Sequence, residues 1–243
     1  SHLFGIPNGD PTKVFLVMGI TAVALVSILL GVDKGVRRLS EINLVLAALL
    51  LLFVIAVGPT LLIATDFFKN LLAYFQYLPA LSNPFGREDA NYSQGWTAFY
   101  YAWWIAWSPF VGMFIARVSR GRTVREFLIA VLLIPSAVSV LWMTAMGGTA
   151  LELYLGQGVE SIKDAALELQ LFMMLEQLPL AAITSFIGIT LVLVFFITSS
   201  DSGSLVIDTI TAGGKVDAPR SQRIFWAIIE GAIAIALLLG GGL

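Results

Sequence analysis

The sequence predicts an all-α polytopic membrane protein with about six transmembrane helices, and three observations lead there. Of its 243 residues, 58% are hydrophobic and only 12% are charged, about half the ~25% charge of a soluble domain. The apolar residues come in blocks of roughly 17 to 22, each long enough to cross about 30 Å of hydrocarbon at ~1.5 Å rise per residue. Basic residues gather in alternate connections between the blocks, as the positive-inside rule asks of a chain that crosses repeatedly.

The first block runs from about Val14 to Gly31 and is followed by Lys34, Arg37 and Arg38. The second covers about Leu44 to Thr65. The third, about Thr97 to Ala116, leads into Arg117, Arg120, Arg122 and Arg125. The fourth spans about Glu126 to Gly147 and the fifth about Leu180 to Ser199, before Lys215, Arg220 and Arg223. The sixth spans about Ile224 to Gly242. Each block is apolar on all faces, as a helix in lipid should be. Ten of the fourteen Lys and Arg therefore fall in loops 32–43, 117–125 and 200–223, which are expected in the cytoplasm, with residue 1 on the outer side. Residues 1–243 read as a single transmembrane domain. Both longer outer loops, Phe67 to Leu81 and Ala165 to Leu178, have apolar periodicity of their own. The stripe Phe68, Leu71, Leu72 and Phe75 suits a helix lying in the interface, where bracing the bundle and gating it are both open roles.

A net charge of −2 argues against a polyanion partner, and the absence of cysteine removes disulfides and thiolate chemistry. His2 has no neighbouring metal-ligand residue. No nucleotide loop, hydrolase elbow or metal-ligand spacing occurs, so no enzymatic activity and no cofactor are expected. The chain opens without Met or signal peptide and closes on an apolar helix at Leu243, which reads as part of a longer protein.

Chemistry concentrates in two places. Four of the six Trp, at positions 96, 103, 104 and 107, fall in or beside the third block, and the last three lie deeper than an aromatic belt requires. Pro109 and Gly112 follow, and a break in the helix is expected there. Clustered indoles suit a cation that cannot donate hydrogen bonds, because an indole face attracts a desolvated quaternary ammonium by about 2 kcal/mol; plain packing is the competing explanation. At the end of the fifth block, Thr198 and Ser199 offer hydroxyls beside helix-terminal carbonyls, ligands that a hard monovalent cation such as sodium accepts. The competing explanation is that they bond back to their own helix, with Asp201 meeting water or an arginine. Arg117 to Arg125 could hold lipid headgroups or a gate, or simply anchor the cytoplasmic side, while Glu152, Glu160, Glu168 and Glu176 read as a solvated face.

The run Trp103-Trp104-Ile105-Ala106-Trp107-Ser108-Pro109-Phe110-Val111-Gly112-Met113-Phe114, continued by Ala116-Arg117 and by Ser119 to Phe127, resembles the central signature of the betaine/choline/carnitine transporter family. Thr198-Ser199-Ser200-Asp201-Ser202 resembles a second family stretch and Gly58-Pro59-Thr60 a weaker third. The resemblance implies a LeuT-type fold of two inverted five-helix repeats with the substrate at the midplane. This chain would supply the last two helices of the first repeat and the first four of the second. Trp104 would face the quaternary ammonium, Trp103 would support it, and Trp107 and Trp96 would line the access route. The Phe195 carbonyl with the Thr198 and Ser199 hydroxyls would hold a coupling sodium, with Phe110 at a second cation site. The implied protein is a homotrimeric sodium-coupled symporter of glycine betaine or a related compatible solute, serving osmoprotection by alternating access in the cell's inner (plasma) membrane. No stretch here matches the family's Gly-rich broken helix, and Ala106 stands where the betaine-type signature has Ser. A sodium-independent carnitine/choline exchanger and a non-transporting sensing or assembly module are the alternatives. A channel fits less well, since no ring of acidic residues lines the spans.

Overall fold

Helix α1, Asp10–Leu30, starts on its one acidic residue, where a carboxylate meets the positive end of the helix dipole. Helix α2, Arg37–Val57, starts on two arginines instead, and Arg37 Nε offsets this by donating to Glu41 Oε1 one turn on, at 2.8 Å. The computed structural model describes residues 5–7, 9–30, 35, 37–83, 85–215 and 219–241. His2, Gly31, Lys34, Gly242 and Leu243, residue 1, and parts of loops 32–43 and 200–223 lie outside the described residues.

The expected second span, Leu44 to Thr65, is two helices. α2 ends at Val57 and α3, Thr60–Ser82, begins after Gly58-Pro59. A residue before proline is pushed out of the helical region, and the Thr60 hydroxyl ties the corner by donating to the Ile55 carbonyl at 2.6 Å. A Cβ on Gly58 would stand 2.6 Å from the Val54 carbonyl oxygen and 3.1 Å from Thr149 Oγ1, so the corner closes on glycine. The stripe expected of an interfacial helix lies on α3, with Phe68, Leu72 and Phe75 exposed.

A π-helical stretch, Asn91–Ala98, runs into α4, Phe99–Val118. The break expected at Pro109 does not occur: α4 passes through it. Pro109 leaves the Ile105 carbonyl without its donor one turn on, a single lost bond that a long membrane helix tolerates; the neighbouring Trp104 carbonyl accepts from Ser108 Oγ. Among the described residues, α1, α2, Val124–Gly156, Ala181–Thr211 and Arg220–Leu239 are long and apolar enough to cross a membrane. The third expected span, realised as α4, is long enough but not among them. Its Trp and Tyr favour the membrane interface and lower its hydropathy.

The fourth span is 33 residues long, Val124–Gly156, longer than the expected Glu126 to Gly147. Thr123 starts it with a capping box: the Glu126 N–H donates to Thr123 Oγ1, and the Thr123 N–H donates to the Glu126 carboxylate. It alternates α5 (Val124–Leu128), α6 (Ile134–Trp142) and α7 (Gly148–Leu151) with π turns at Ile129–Leu133, Met143–Gly147 and Glu152–Gly156. The first π turn meets Pro135, whose absent N–H loosens the ladder. The connection that follows holds α8 (Ser161–Asp164) and α9 (Gln170–Glu176), the latter inside the segment where apolar periodicity placed a helix.

Helix α10, Ala181–Thr211, has 31 residues and continues twelve residues beyond the expected end at Ser199. Most of loop 200–223 is therefore helical, because α11, Arg220–Leu239, already begins at Arg220. The polar run from Ser200 to Ser204 resembles a loop in composition, yet it is folded into the helix, with Asp201 and Ser204 buried.

The chain forms two compact units, residues 1–49 with 182–243, and residues 50–181. In the second, α3 packs on α6, α7 and the π turn between them, and Asn70 Nδ2 donates to the buried Thr144 Oγ1 at 3.2 Å. In the first, α1 packs along α11. A Cβ on Gly231 would meet Thr21 Oγ1 at 2.5 Å, Cγ2 at 2.8 Å and Cβ at 3.1 Å, the close backbone approach that small residues allow between membrane helices. Turning the Thr21 rotamer cannot relieve all three contacts. Gly231→Val is expected to destabilise this unit by about 1–3 kcal/mol through overpacking, read as a lower thermal midpoint in detergent; an unchanged midpoint would show that the two helices part without cost.

Candidate functional site

Side chains three and four apart share a helix face, so Trp96, Tyr100, Trp103 and Trp107 form one row along the π turn and α4. The Trp96 and Tyr100 rings stack at 5.9 Å with 10° between planes, and Tyr100 meets Trp103 at 5.7 Å. Phe110, expected at a second cation site, joins the same row with its ring edge-on to Trp107 at 5.5 Å. Trp103, Trp104, Trp107, Ser108, Val111, Gly112 and Ile115 line an open groove of about 440 Å³. A neighbouring hollow of about 480 Å³ is lined by Tyr100, Tyr101, Trp104, Ile105 and Ser108.

Trp104 borders both hollows and is 70% exposed. Neither wall contains a charged residue, and the Ser108 hydroxyl is engaged by the Trp104 carbonyl. The surface is thus aromatic and uncharged, which suits a diffuse cation with no N–H to satisfy. All three inner indoles expected from the sequence lie on this groove. Trp96 extends the row one step further through Tyr100.

Phe195, Thr198 and Ser199 occupy one turn of α10. Their setting differs from the expected helix end: α10 continues for three more turns, so the carbonyls here have helical partners. Thr198 Oγ1 donates to the Phe195 carbonyl at 3.0 Å, and the Thr198 carbonyl accepts from Ser202 Oγ at 2.8 Å. The Phe195 carbonyl and the Thr198 hydroxyl are adjacent oxygens all the same, and Ser199 is exposed beside them.

Asp201, which the competing explanation placed against water or an arginine, is fully buried and accepts a hydrogen bond from Ser27 Oγ of α1. Ser204 Oγ donates to Glu230 Oε2 of α11 at 2.6 Å, and Ser200, one turn back on the same face of α10, lies beside that carboxylate. One turn further along α10, buried Asp208 pairs with Arg223 Nε at 2.9 Å, and Gln222 Nε2 bonds the Asp208 carbonyl and Thr211 Oγ1. Arg223 therefore belongs to a buried pair and not to a loop anchor. Ser27, Glu230 and Asp208 were not picked out from the sequence. The available signal was an ionisable residue inside a predicted span, which Glu230 is.

The family model for betaine/carnitine/choline transporters matches residues 1–243. A glycine betaine/proline/choline transporter of Vibrio parahaemolyticus is 67% identical over 243 residues, covering all of this chain and 44% of the relative. Glycine betaine transporter 1 of the same organism is 52% identical, covering 99% of this chain and 46% of the relative. The glycine betaine transporter OpuD of Bacillus subtilis is 42% identical, covering all of this chain and 48% of the relative. The chain thus spans less than half the length of each of these relatives.

Proposed function

Because the chain belongs to the betaine/carnitine/choline transporter family, we propose that it forms part of a secondary active transporter that moves glycine betaine or a related quaternary-ammonium solute across the plasma membrane. The observation that carries this reading is the uncharged indole groove on α4. Trp104, open on two sides, is assigned to the quaternary ammonium and Trp103 to its support, with Trp107 and Trp96 on the approach. Three or four such faces together with apolar contact give affinity in the micromolar range, since each desolvated cation–π contact contributes about 2 kcal/mol.

The coupling ion is assigned to sodium, held by the Phe195 carbonyl and the Thr198 and Ser199 hydroxyls, with Phe110 beside a second ion. Oxygen ligands of this kind match a hard monovalent cation. The Thr198 proton would have to turn away from the Phe195 carbonyl to expose both oxygens. The fold would be the inverted-repeat one, in which one bundle rocks against the other. The arginine-rich segment 117–125 would face the cytoplasm, and the assembly would be a homotrimer.

The test is titration of glycine betaine into the full-length protein in detergent, in sodium and in potassium. Sodium-dependent heat is the expected result. Heat indifferent to sodium would move the protein to the exchanger class, and absence of heat would reject a betaine-type substrate. Thr198→Ala is expected to raise the half-saturating sodium concentration by about 10-fold, the loss of one ligand worth about 1.4 kcal/mol; an unchanged sodium dependence would remove Thr198 from the ion site.

A further inference from the structure

Where α1, α10 and α11 meet, two carboxyl groups and three hydroxyls converge in one unit of the fold. Asp201 is completely buried. One of its oxygens accepts from Ser27, while the other, Oδ1, is buried with no hydrogen-bond partner. Asp201 and Ser204, three residues apart, share a face of α10, and on that face Glu230 of α11 accepts from Ser204 at 2.6 Å. Among the described residues, no Lys, Arg or His forms an ion pair with either carboxyl; the nearby Arg223 is engaged by Asp208.

Two carboxyls without a counter-charge inside a membrane protein are costly, by several kcal/mol each when ionised. Hydrogen bonds from serine hydroxyls soften that cost without cancelling charge. A small cation would cancel it. It would find an orphaned carboxylate oxygen, a second carboxylate and hydroxyl lone pairs, all hard oxygen ligands. Ser27 and Ser204 each donate to a carboxylate oxygen, which leaves their lone pairs free to face an ion.

We propose that Asp201 and Glu230, with Ser27, Ser200 and Ser204, form a sodium site between α1, α10 and α11. It shares no residue with the Phe195, Thr198 and Ser199 group, and it does not depend on the identity of the transported solute. Asp201 lies on the same helix as Thr198, within one turn, so an ion here would also tie α1 and α11 to the helix that carries the proposed coupling site.

The experiment measures radioactive sodium binding to the purified full-length protein by scintillation proximity at pH 8, alongside the rise in thermal midpoint that sodium produces. Asp201→Asn, nearly isosteric and still able to accept from Ser27, is expected to lose one equivalent of bound sodium and most of the sodium-induced rise in midpoint. Ser27→Ala keeps both carboxyls and is expected to weaken sodium binding about 3- to 10-fold, the loss of one ligand or of its orienting hydrogen bond. Should Asp201→Asn fail to fold, Ser27→Ala decides the matter: sodium affinity like that of the wild type overturns the site. A folded Asp201→Asn with unchanged stoichiometry and affinity also overturns it, as would a wild type that binds no sodium and instead takes up a proton at these carboxyls. Thr198→Ala separates the two readings. Sodium-independent uptake defeats coupling through Thr198, yet this site stands if the sodium equivalent lost in Asp201→Asn is present in Thr198→Ala.

Discussion

Alanine at Trp104 is expected to weaken glycine betaine binding to the full-length transporter about 30-fold, with little change in stability. One desolvated cation–π contact contributes about 2 kcal/mol and each 1.4 kcal/mol is a factor of ten. Trp104 borders both hollows on α4 while remaining 70% exposed, so its removal opens no buried cavity in its unit, and exposed positions of that kind change stability by about 0.5 kcal/mol or less. Trp104→Phe, which keeps a smaller aromatic face, should recover part of the affinity. Calorimetric titration together with a thermal melt checks both halves. A variant that melts early but binds as before would make the indole a packing residue and would remove the principal support for the proposed function.

Arg223→Ala is expected to destabilise the protein by about 3–5 kcal/mol, because it leaves the Asp208 carboxylate buried without its cation. The Asp208 side chain is 2% exposed and that of Arg223 17%, and Asp208 Oδ1 already lacks a hydrogen-bond partner. Once the guanidinium is gone, nothing described nearby carries a compensating positive charge to that carboxylate. The double variant Asp208→Leu with Arg223→Met should recover much of the loss, since an apolar pair of similar volume often replaces a buried ion pair at no net cost. Chemical denaturation in detergent measures both. A single variant as stable as the wild type would show that water reaches the pair and screens it.

The membrane-crossing character was readable from apolar blocks and basic loops, because hydrocarbon imposes a length and a composition on any helix that crosses it. Helix interruptions were harder. Pro109 pointed to a break and Pro59 to none, yet α2 ends before Gly58-Pro59 while α4 runs through Pro109. The difference is the neighbours: Gly58 forms a corner too close to Val54 and Thr149 for a Cβ, whereas α4 loses only one ladder bond at Pro109. Of these neighbours only Thr149 is distant in sequence.

The indole row was readable because helical spacing alone places Trp103 and Trp107 on one face. The polar run Ser200 to Ser204 was misjudged as the end of a span. Its hydroxyls and Asp201 look like loop residues until the partners Ser27 and Glu230 are known, and those lie 174 residues upstream of Asp201 and 26 residues downstream of Ser204.

The nesting of the two units has a consequence for biosynthesis. Residues 50–181 form a contiguous unit, whereas the other unit joins residues 1–49 to 182–243. As the ribosome delivers the polypeptide, the middle segment can consolidate as soon as it has emerged, while α1 must wait in the bilayer with Ser27 unmatched until α10 arrives. α10 brings the buried Asp201 with it, and an acidic residue inside a membrane helix opposes release into lipid, by up to about 2.5–3.5 kcal/mol at the helix centre. The waiting α1 and the α11 that follows would then act as receptors for an otherwise reluctant helix, so this unit matures after the middle one.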